Sequence, residues 1–382
     1  MAASRQPLRL LADDLTGALD SAAAFASAAE PVAVVWRGDV PGHGPLAVDS
    51  RSRELSAAAA REAVAALAPA LWSEGDRLAF KKVDSLLRGQ EAAELATILA
   101  LLHPGHCIVA PAFPAQGRLT RAGRQGVATD GGWRPLPGDL AADLERAGHA
   151  VIRTGAGASV PTGVSFWDAE TDADLDAVVA AAEGLDDVLW VGSGGLAAAL
   201  ARARGIERPA ALPAALRRPV LGLVGSEHAA IRAQLARLGA LHRTLATSGR
   251  PLAASGADDG EIARLLTLGG VAFASLDLPE DLSRRDAAAT IEARFAGLLG
   301  RLAAPGTLFA AGGETLRGLT DALGAERLDV TGDIVPGVAR SILRGGRWDG
   351  VAVVSKSGAF GGPDLLRHLL AAEPATTAGA PA

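Results

Sequence analysis

The chain is poor in several residue types. It has one cysteine, Cys107, one methionine and no tyrosine, and aromatic residues fill only 4% of its 382 positions. A single cysteine excludes an intrachain disulfide and a thiolate zinc cage. Its apolar setting, CIVAPAF (107–113), points to a buried structural thiol. So few aromatics fit alternating β and α elements better than a β-sandwich. Positive charge is also lacking: the formal net charge is −6, which argues against a nucleic-acid footprint, because neutralising a phosphate backbone needs a basic face. A small anionic ligand needs only two or three local Arg or Lys residues. No window approaches the roughly 20 apolar residues of a membrane span. The N-terminal run LRLLA (8–12) stops at Asp13-Asp14 and does not read as a signal peptide. The sequence therefore predicts a soluble, cytoplasmic protein with neither nucleic-acid nor membrane partners.

What the chain does have is alanine, leucine and valine, within a hydrophobic share of 49% against 21% charged residues. That is enough to bury substantial cores. Short β-like runs recur, each followed by a glycine or polar turn and then an alanine-rich helical stretch: LRLLA, VAVVW (32–36), LAVDS (46–50), LAFKKVDS (78–85), CIVAPAF, VSFWDAE (164–170) and VLWVGS (188–193). Helices are predicted at 54–71 and 91–102. The proline-rich GIERPAALPAALRRP (205–219) reads as a boundary, after which the pattern restarts with PVLGLVGS (219–226), TLFAAGG (307–313) and VAVVSKSG (351–358). The expectation is two layered α/β domains with largely parallel or mixed sheets. They span 1–207 and 219–371, with a linker at 208–218 and a flexible tail at 372–382.

In open α/β sheets ligands gather at the carboxyl ends of strands, and the polar residues cluster there. ADDLTGALD puts Asp13 and Asp14 at the first strand tip, with Thr16 a natural N-cap. Capping needs one side chain; a second carboxylate could take a proton from a substrate hydroxyl or sit in the outer shell of a magnesium ion. KKVDSLLRGQ (81–90) sends Lys82 and Asp84 to one face of a strand, with Ser85 and Arg88 in the following turn. Such a set suits a polyhydroxylated acid, with Arg gripping the carboxylate and Lys and Ser the hydroxyls. DSRSRE (49–54) repeats the theme more weakly. PAFPAQGRLTRAGRQ (111–125) is a loop carrying Arg118, Arg121 and Arg124, either simply exposed or closing over an anion. In the second half GSEH (225–228), AGGET (311–315) and SKSGAFGG (355–362), with Lys356, form a glycine set suited to nucleotide phosphates. Neither GxxxxGK[ST] nor GxGxxG is present. VGSGGLAAAL (191–200) reads as tight packing and HPGH (103–106) as a turn rather than a metal site.

ADDLTGALD, KKVDSLLRG, PAFPAQGR, DAETDADL (168–175), GSGGLA, AGGET, PGV (336–338) and SKSGAFG occur in that order. Together they resemble the four-carbon acid sugar kinase family over nearly the whole chain. The resemblance implies ATP-dependent phosphorylation of a tetronate, such as threonate or erythronate, or of a 3-oxo-tetronate, at its terminal hydroxyl. The acid would bind the N-terminal domain, ATP·Mg²⁺ the C-terminal domain, and the active site would lie in the cleft between them. Carried over by motif, nucleotide contacts fall on Ser226, Gly312, Gly313, Glu314, Thr315 and Gly358. Lys82, Arg88 and Arg51 would hold the acid, and Asp14 or Asp84 would be the base. This chain has DSLLRGQ where the family often reads DSTLRGN, and Leu19 where asparagine is common, so the identity of the acid stays open. No metal ligands are assigned, and a homodimer is compatible with the sequence. The rival readings are an NAD-dependent hydroxy-acid dehydrogenase, which lacks its fingerprint, and a non-catalytic sugar-acid-binding protein.

Overall fold

The computed structural model describes residues 6–37, 44–72, 77–206, 216–247, 252–279 and 281–371. Most of the predicted linker (208–215) and all of the tail (372–382) lie outside the described residues. The chain divides into two compact units: Met1–Arg208 with Val330–Gly332, and Pro209–Asp329 with Asp333–Ala382.

In the first unit the strands are β1 (Leu8–Ala12), β2 (Val32–Val35), β3 (Leu46–Asp49), β4 (Leu78–Lys82), β5 (His106–Ala110), β6 (Arg118–Arg121), β7 (Arg124–Thr129), β8 (Gly132–Pro135), β9 (Val151–Gly155), β10 (Gly163–Asp168) and β11 (Val188–Gly192). The main sheet runs β2-β3-β1-β4-β11-β5-β10-β9, with every pair parallel. Its helices are α1 (Leu15–Ala23), α2 (Ala57–Leu71), α3 (Glu91–Leu102), α4 (Leu140–Arg146), α5 (Asp172–Ala181) and α6 (Gly194–Ala203). α3 packs between α2 and α4, and α6 packs between α1 and α5, which gives two helical layers. Strands covered on both faces read as continuous apolar runs, and all five residues of β1 are buried. One core cluster joins Val64, Leu71, Leu95 and Ile98 of α2 and α3 to Leu11, Val48, Val109 and Val191 of the sheet.

The stretch expected as a plain loop after β5 is a three-stranded antiparallel meander, β6-β7-β8. Its first turn, Ala122-Gly123, takes positive φ at both residues (49° and 72°), the conformation that a tight two-residue hairpin requires. The reading of 191–200 as tight packing is matched by its geometry: a side chain on Gly195 would overlap the Ala112 carbonyl, and one on Gly194 would meet Phe113.

The second unit contains β12 (Val220–Val224), β13 (His242–Ala246), β14 (Val271–Asp277), β15 (Thr307–Ala311), β17 (Val338–Arg344), β18 (Ala352–Lys356) and both ends of β16 (Arg327–Val335), whose Val330–Gly332 count with the first unit. Its helices are α7 (Ala229–Ala236), α8 (Leu252–Thr267), α9 (Arg284–Leu299), α10 (Gly313–Leu323) and α11 (Leu365–Ala371). Strands β13-β14-β12-β15-β18 are parallel; β17 runs antiparallel to β18, with β16 beside it. Pro336 and Gly337 of PGV (336–338) form the turn between β16 and β17, and Val338 opens β17. Phe273, Phe309, Val224 and Leu366 lie in its core cluster. Both units are α/β, as the alternation of elements implies.

Candidate active site

Because β3, β1 and β4 are parallel neighbours, the loops leaving their carboxyl ends meet. Three residue groups far apart in sequence converge there, and Arg53 joins them. Its Nε and Nη2 donate to Asp13 Oδ2 and Oδ1 at 2.7 and 2.8 Å. Its Nη1 lies 2.6 Å from Asp14 Oδ2, and Nη2 lies 3.8 Å from Asp84 Oδ1. The sequence reading chose Arg51 from the same DSRSRE stretch. Arg51 is exposed, with φ +58°, and its backbone N–H donates to Asp49 Oδ1. The position among the aspartates is held instead by Arg53, two residues on. The repeated Arg-Ser-Arg was the available signal, but one sequence could not say which arginine points inward.

The paired aspartates divide their work. Asp14, rather than the expected Thr16, is the N-cap of α1: Oδ1 accepts the Gly17 N–H at 2.9 Å and Oδ2 the Thr16 hydroxyl at 2.7 Å. Asp13 is almost fully buried. Burial alone would raise its pKa, but the charge and hydrogen bonds of Arg53, with Lys81 and Lys82, outweigh it and hold the carboxyl below its usual range. Arg53, opposed by burial, is carried well above its ordinary value by Asp13, Asp14 and Asp84. Asp84 accepts Arg88 Nε and Nη2 at 2.6 and 2.9 Å and the Arg88 N–H at 3.1 Å. Against the cost of burial, Arg88, Arg53 and Lys82 keep it strongly acidic.

Lys82 and Lys81 part company, as strand alternation requires. Lys82 lies under the first turn of α1, and its Nζ donates to the Val83 carbonyl at 2.8 Å; a Cβ on Gly17 would meet that Nζ at 3.2 Å. Lys81, which the sequence reading passed over, is fully buried and pairs with Glu94 of α3 at 2.7 Å. Burial pulls its pKa down, but Glu94 and Asp13 push it up by more. Ser85 is buried in the turn after β4. Glu91, also missed, is 5% exposed and its Oε1 has no hydrogen-bond partner. Burial, reinforced by Asp13, raises its pKa to about 8, so it carries a proton at neutral pH.

Of the three meander arginines, Arg121 pairs with Glu170 at 2.6 Å and lies over the Trp133 ring. Arg124 faces Asp139 at 3.4 Å and donates to the Leu136 carbonyl. Arg118 donates to the Gln116 carbonyl through Nη1, its buried Nε has no partner, and it feels the charges of Asp84 and Arg88. Arg53, Lys81, Lys82, Arg88 and Arg118 are thus gathered with the carboxylates of Asp13, Asp14, Asp84 and Glu94 at this edge of the sheet, and guanidinium groups so placed suit a small anionic ligand.

In the second unit the loops after β12, β15 and β18 converge, since those strands are parallel neighbours. A Cβ on Gly358 would overlap Ser226 Oγ, and one on Gly225 would overlap Thr315 Oγ1; the glycines are what let these backbones approach. Gly312, at φ +108°, precedes α10 and offers no side-chain cap. The first N–H groups of α10, from Gly313, Glu314 and Thr315, are therefore directed out of the helix end. Thr315 is buried, whereas Glu314 is exposed and only loosely engaged by Arg317 at 3.8 Å. Lys356 does not reach free space: its Nζ donates to the Ser357 and Phe360 carbonyls, both at 2.9 Å, and burial lowers its pKa to about 8. It shapes the loop that holds Gly358. Beside Gly225 and Ser226 lies a cavity of about 370 Å³, lined also by Thr244, Ser275, Leu276 and Ile291. An uncapped helix end, backbones bared by glycine and a mixed cavity next to them suit a nucleoside triphosphate. Among the described residues no group of three His, Cys, Asp or Glu is placed to hold a metal ion. Magnesium bound through nucleotide phosphates needs few protein ligands, so the site is compatible with it. No described helix is long and apolar enough to cross a membrane.

Residues 8–151 match the sequence model of a sugar-binding N-terminal domain, and residues 221–366 that of a nucleotide-binding C-terminal domain. A D-threonate kinase of Cupriavidus necator is 35% identical, over 94% of this chain and 96% of its own length. A D-erythronate kinase of Heliobacterium modesticaldum is 26% identical, over 93% of this chain and 94% of its own. In fold, the chain is similar to Haemophilus influenzae protein HI1011, at a TM-score of 0.67 and 18% identity, with 94% of this chain and 98% of that one covered. The chain belongs to the four-carbon acid sugar kinase family.

Proposed function

We propose that this protein is an ATP-dependent kinase that transfers the γ-phosphoryl group to the terminal hydroxyl of a tetronate, threonate or erythronate. One observation carries the reading: the arginine–carboxylate cluster and the glycine cradle fall one each in the segments matching the sugar-binding and nucleotide-binding sequence models. Arg118 and Arg88 take the acid's carboxylate, with Lys82 and Ser85 on its hydroxyls. Asp14 faces the attacking hydroxyl and accepts its proton. Asp13 and Asp84 are each gripped by two nitrogens of one guanidinium, where Asp14 meets Arg53 through one; both are held below the usual carboxylate range and serve to orient Arg53 and Arg88. In phosphoryl transfer the transition state is loose, so positioning and neutralisation outweigh the strength of the base. ATP supplies the phosphoryl group on the uncapped end of α10, with Ser226 and Gly358 against the phosphates. Magnesium brought in with the nucleotide would neutralise charge on the transferred phosphoryl group.

A coupled ADP-release assay across the four stereoisomeric tetronates and their 3-oxo derivatives tests the reading. Turnover of at least one of them, dependent on Mg²⁺ and absent with NAD in place of ATP, is the expected result. No ADP release with any four-carbon acid refutes it.

A further inference from the structure

We infer that Gln125 is the positioning residue that presents Arg118 to the sugar acid, by pinning the β6–β8 meander to the loops that follow β4 and β5. The inference rests on the kinase reading above. Gln125 sits on β7, and its side chain is 1% exposed. Its amide nitrogen donates to the Ser85 carbonyl at 2.9 Å and to the Pro111 carbonyl at 3.2 Å. Its oxygen accepts the hydroxyl of Thr120, on β6, at 2.6 Å. Three of the amide's four hydrogen-bonding positions are used, with no solvent nearby.

The geometry matters because of what stands at each end. Ser85 follows Asp84, whose carboxylate orients Arg88. Pro111 follows β5 at the same carboxyl edge of the sheet. On the meander side, Thr120 lies two residues from Arg118 on a short strand, and Arg118 has a buried, unpartnered Nε within the field of Asp84 and Arg88. The bridge of Thr120 with Ala169, the Gly123 N–H on Asp168 and the Arg121–Glu170 pair tie the meander to β10 and the segment after it. The buried amide of Gln125, gripping two carbonyls, ties it to the loops after β4 and β5 on the side where Asp84 and Arg88 stand. Surface exposure would let water take its place; burial does not. The meander is therefore a fixed wall of the sugar-acid site, not a loop that closes over it.

Steady-state kinetics with D-threonate and ATP, with D-erythronate as the second acid, test this in a double-mutant cycle. Gln125→Ala is expected to raise KM for the acid at least tenfold while KM for ATP stays within twofold, a split that a general loss of structure does not produce. Arg118→Ala should give the same split, and the double variant should be no worse than Arg118→Ala alone. Thr120→Val, which keeps the amide and removes one partner, should move KM in the same direction by less, and it completes the cycle if Gln125→Ala does not fold. A folded Gln125→Ala enzyme with KM for the acid within twofold of wild type overturns the inference, as do effects of Gln125 or Thr120 that multiply fully with that of Arg118. An active wild type with unaltered variants sinks this inference alone; a wild type that turns over no four-carbon acid sinks the kinase reading and this inference with it.

Discussion

Replacing Glu91 by glutamine should make the protein more stable at neutral pH and scarcely change it in mild acid. Glu91 stands in the first turn of α3, where the helix end favours negative charge. Yet it is 5% exposed, its Oε1 has no partner, and Asp13 lies close by. Burial and that neighbouring charge raise its pKa from 4.5 to about 8. The folded protein therefore holds a proton that the unfolded chain releases between those two values. A raised folded pKa gives a contribution fully present below about pH 4.5 and lost as pH rises through about 8. Each pH unit across that window is worth about 1.4 kcal/mol. Glutamine does not titrate, so the stability of Glu91→Gln relative to wild type should climb by about 3 kcal/mol from pH 5 to pH 7.5 and level off above pH 8. The absolute offset includes the different hydrogen bonding of an amide, so the change with pH is the quantity to read. Other titrating groups cancel in the comparison. Urea unfolding followed by tryptophan fluorescence is suitable, because Trp36, Trp72, Trp133, Trp167 and Trp190 all belong to the first unit. Parallel stability curves for the two proteins from pH 5 to pH 8 would refute the reasoning, since they would mean that Glu91 is ionised in the folded state.

Asp14→Asn keeps a competent helix cap but removes the proton acceptor and the ion pair with Arg53, so kcat, measured well below the variant's own melting temperature, should fall by about 10²-fold or more; near-normal kcat would remove Asp14 from the mechanism. Arg53→Met strands the buried Asp13 carboxylate, takes an ion-pair partner from Asp14 and should destabilise the first unit by about 3–5 kcal/mol at pH 7, measured by the same urea titration; a loss below about 1 kcal/mol would show that Arg53 is not their anchor. Gly358→Ala forces a methyl group into Ser226 and should raise KM for ATP at least tenfold while leaving KM for the acid unchanged, and an unaltered KM for ATP would place the nucleotide elsewhere.

Much of the frame was legible. Predicted helices at 54–71 and 91–102 correspond to α2 (Ala57–Leu71) and α3 (Glu91–Leu102), because apolar periodicity and caps are local. The turn junctions around Asp13-Asp14, Asp84 and the second-unit glycines were visible for the same reason. Where reading failed, the deciding contact was distant. The stretch 111–125 read as a loop because the strands it contains are short and rich in arginine and glycine, and the order of the Arg118–Pro135 meander comes from its strands pairing with one another. Nothing local marks Glu91 at the start of its helix; only its burial, with Asp13 nearby, raises its pKa.

Local chemistry thus determined where each strand ends and what polar groups wait there, since caps, turns and alternation depend on a few neighbouring residues. Tertiary structure alone decided which of those groups meet. The parallel order β3-β1-β4 brings Arg53 across 40 residues to Asp13, while Arg51 stays exposed. Long-range strand order leaves no periodic trace in a sequence, and it decides which charges meet at the site.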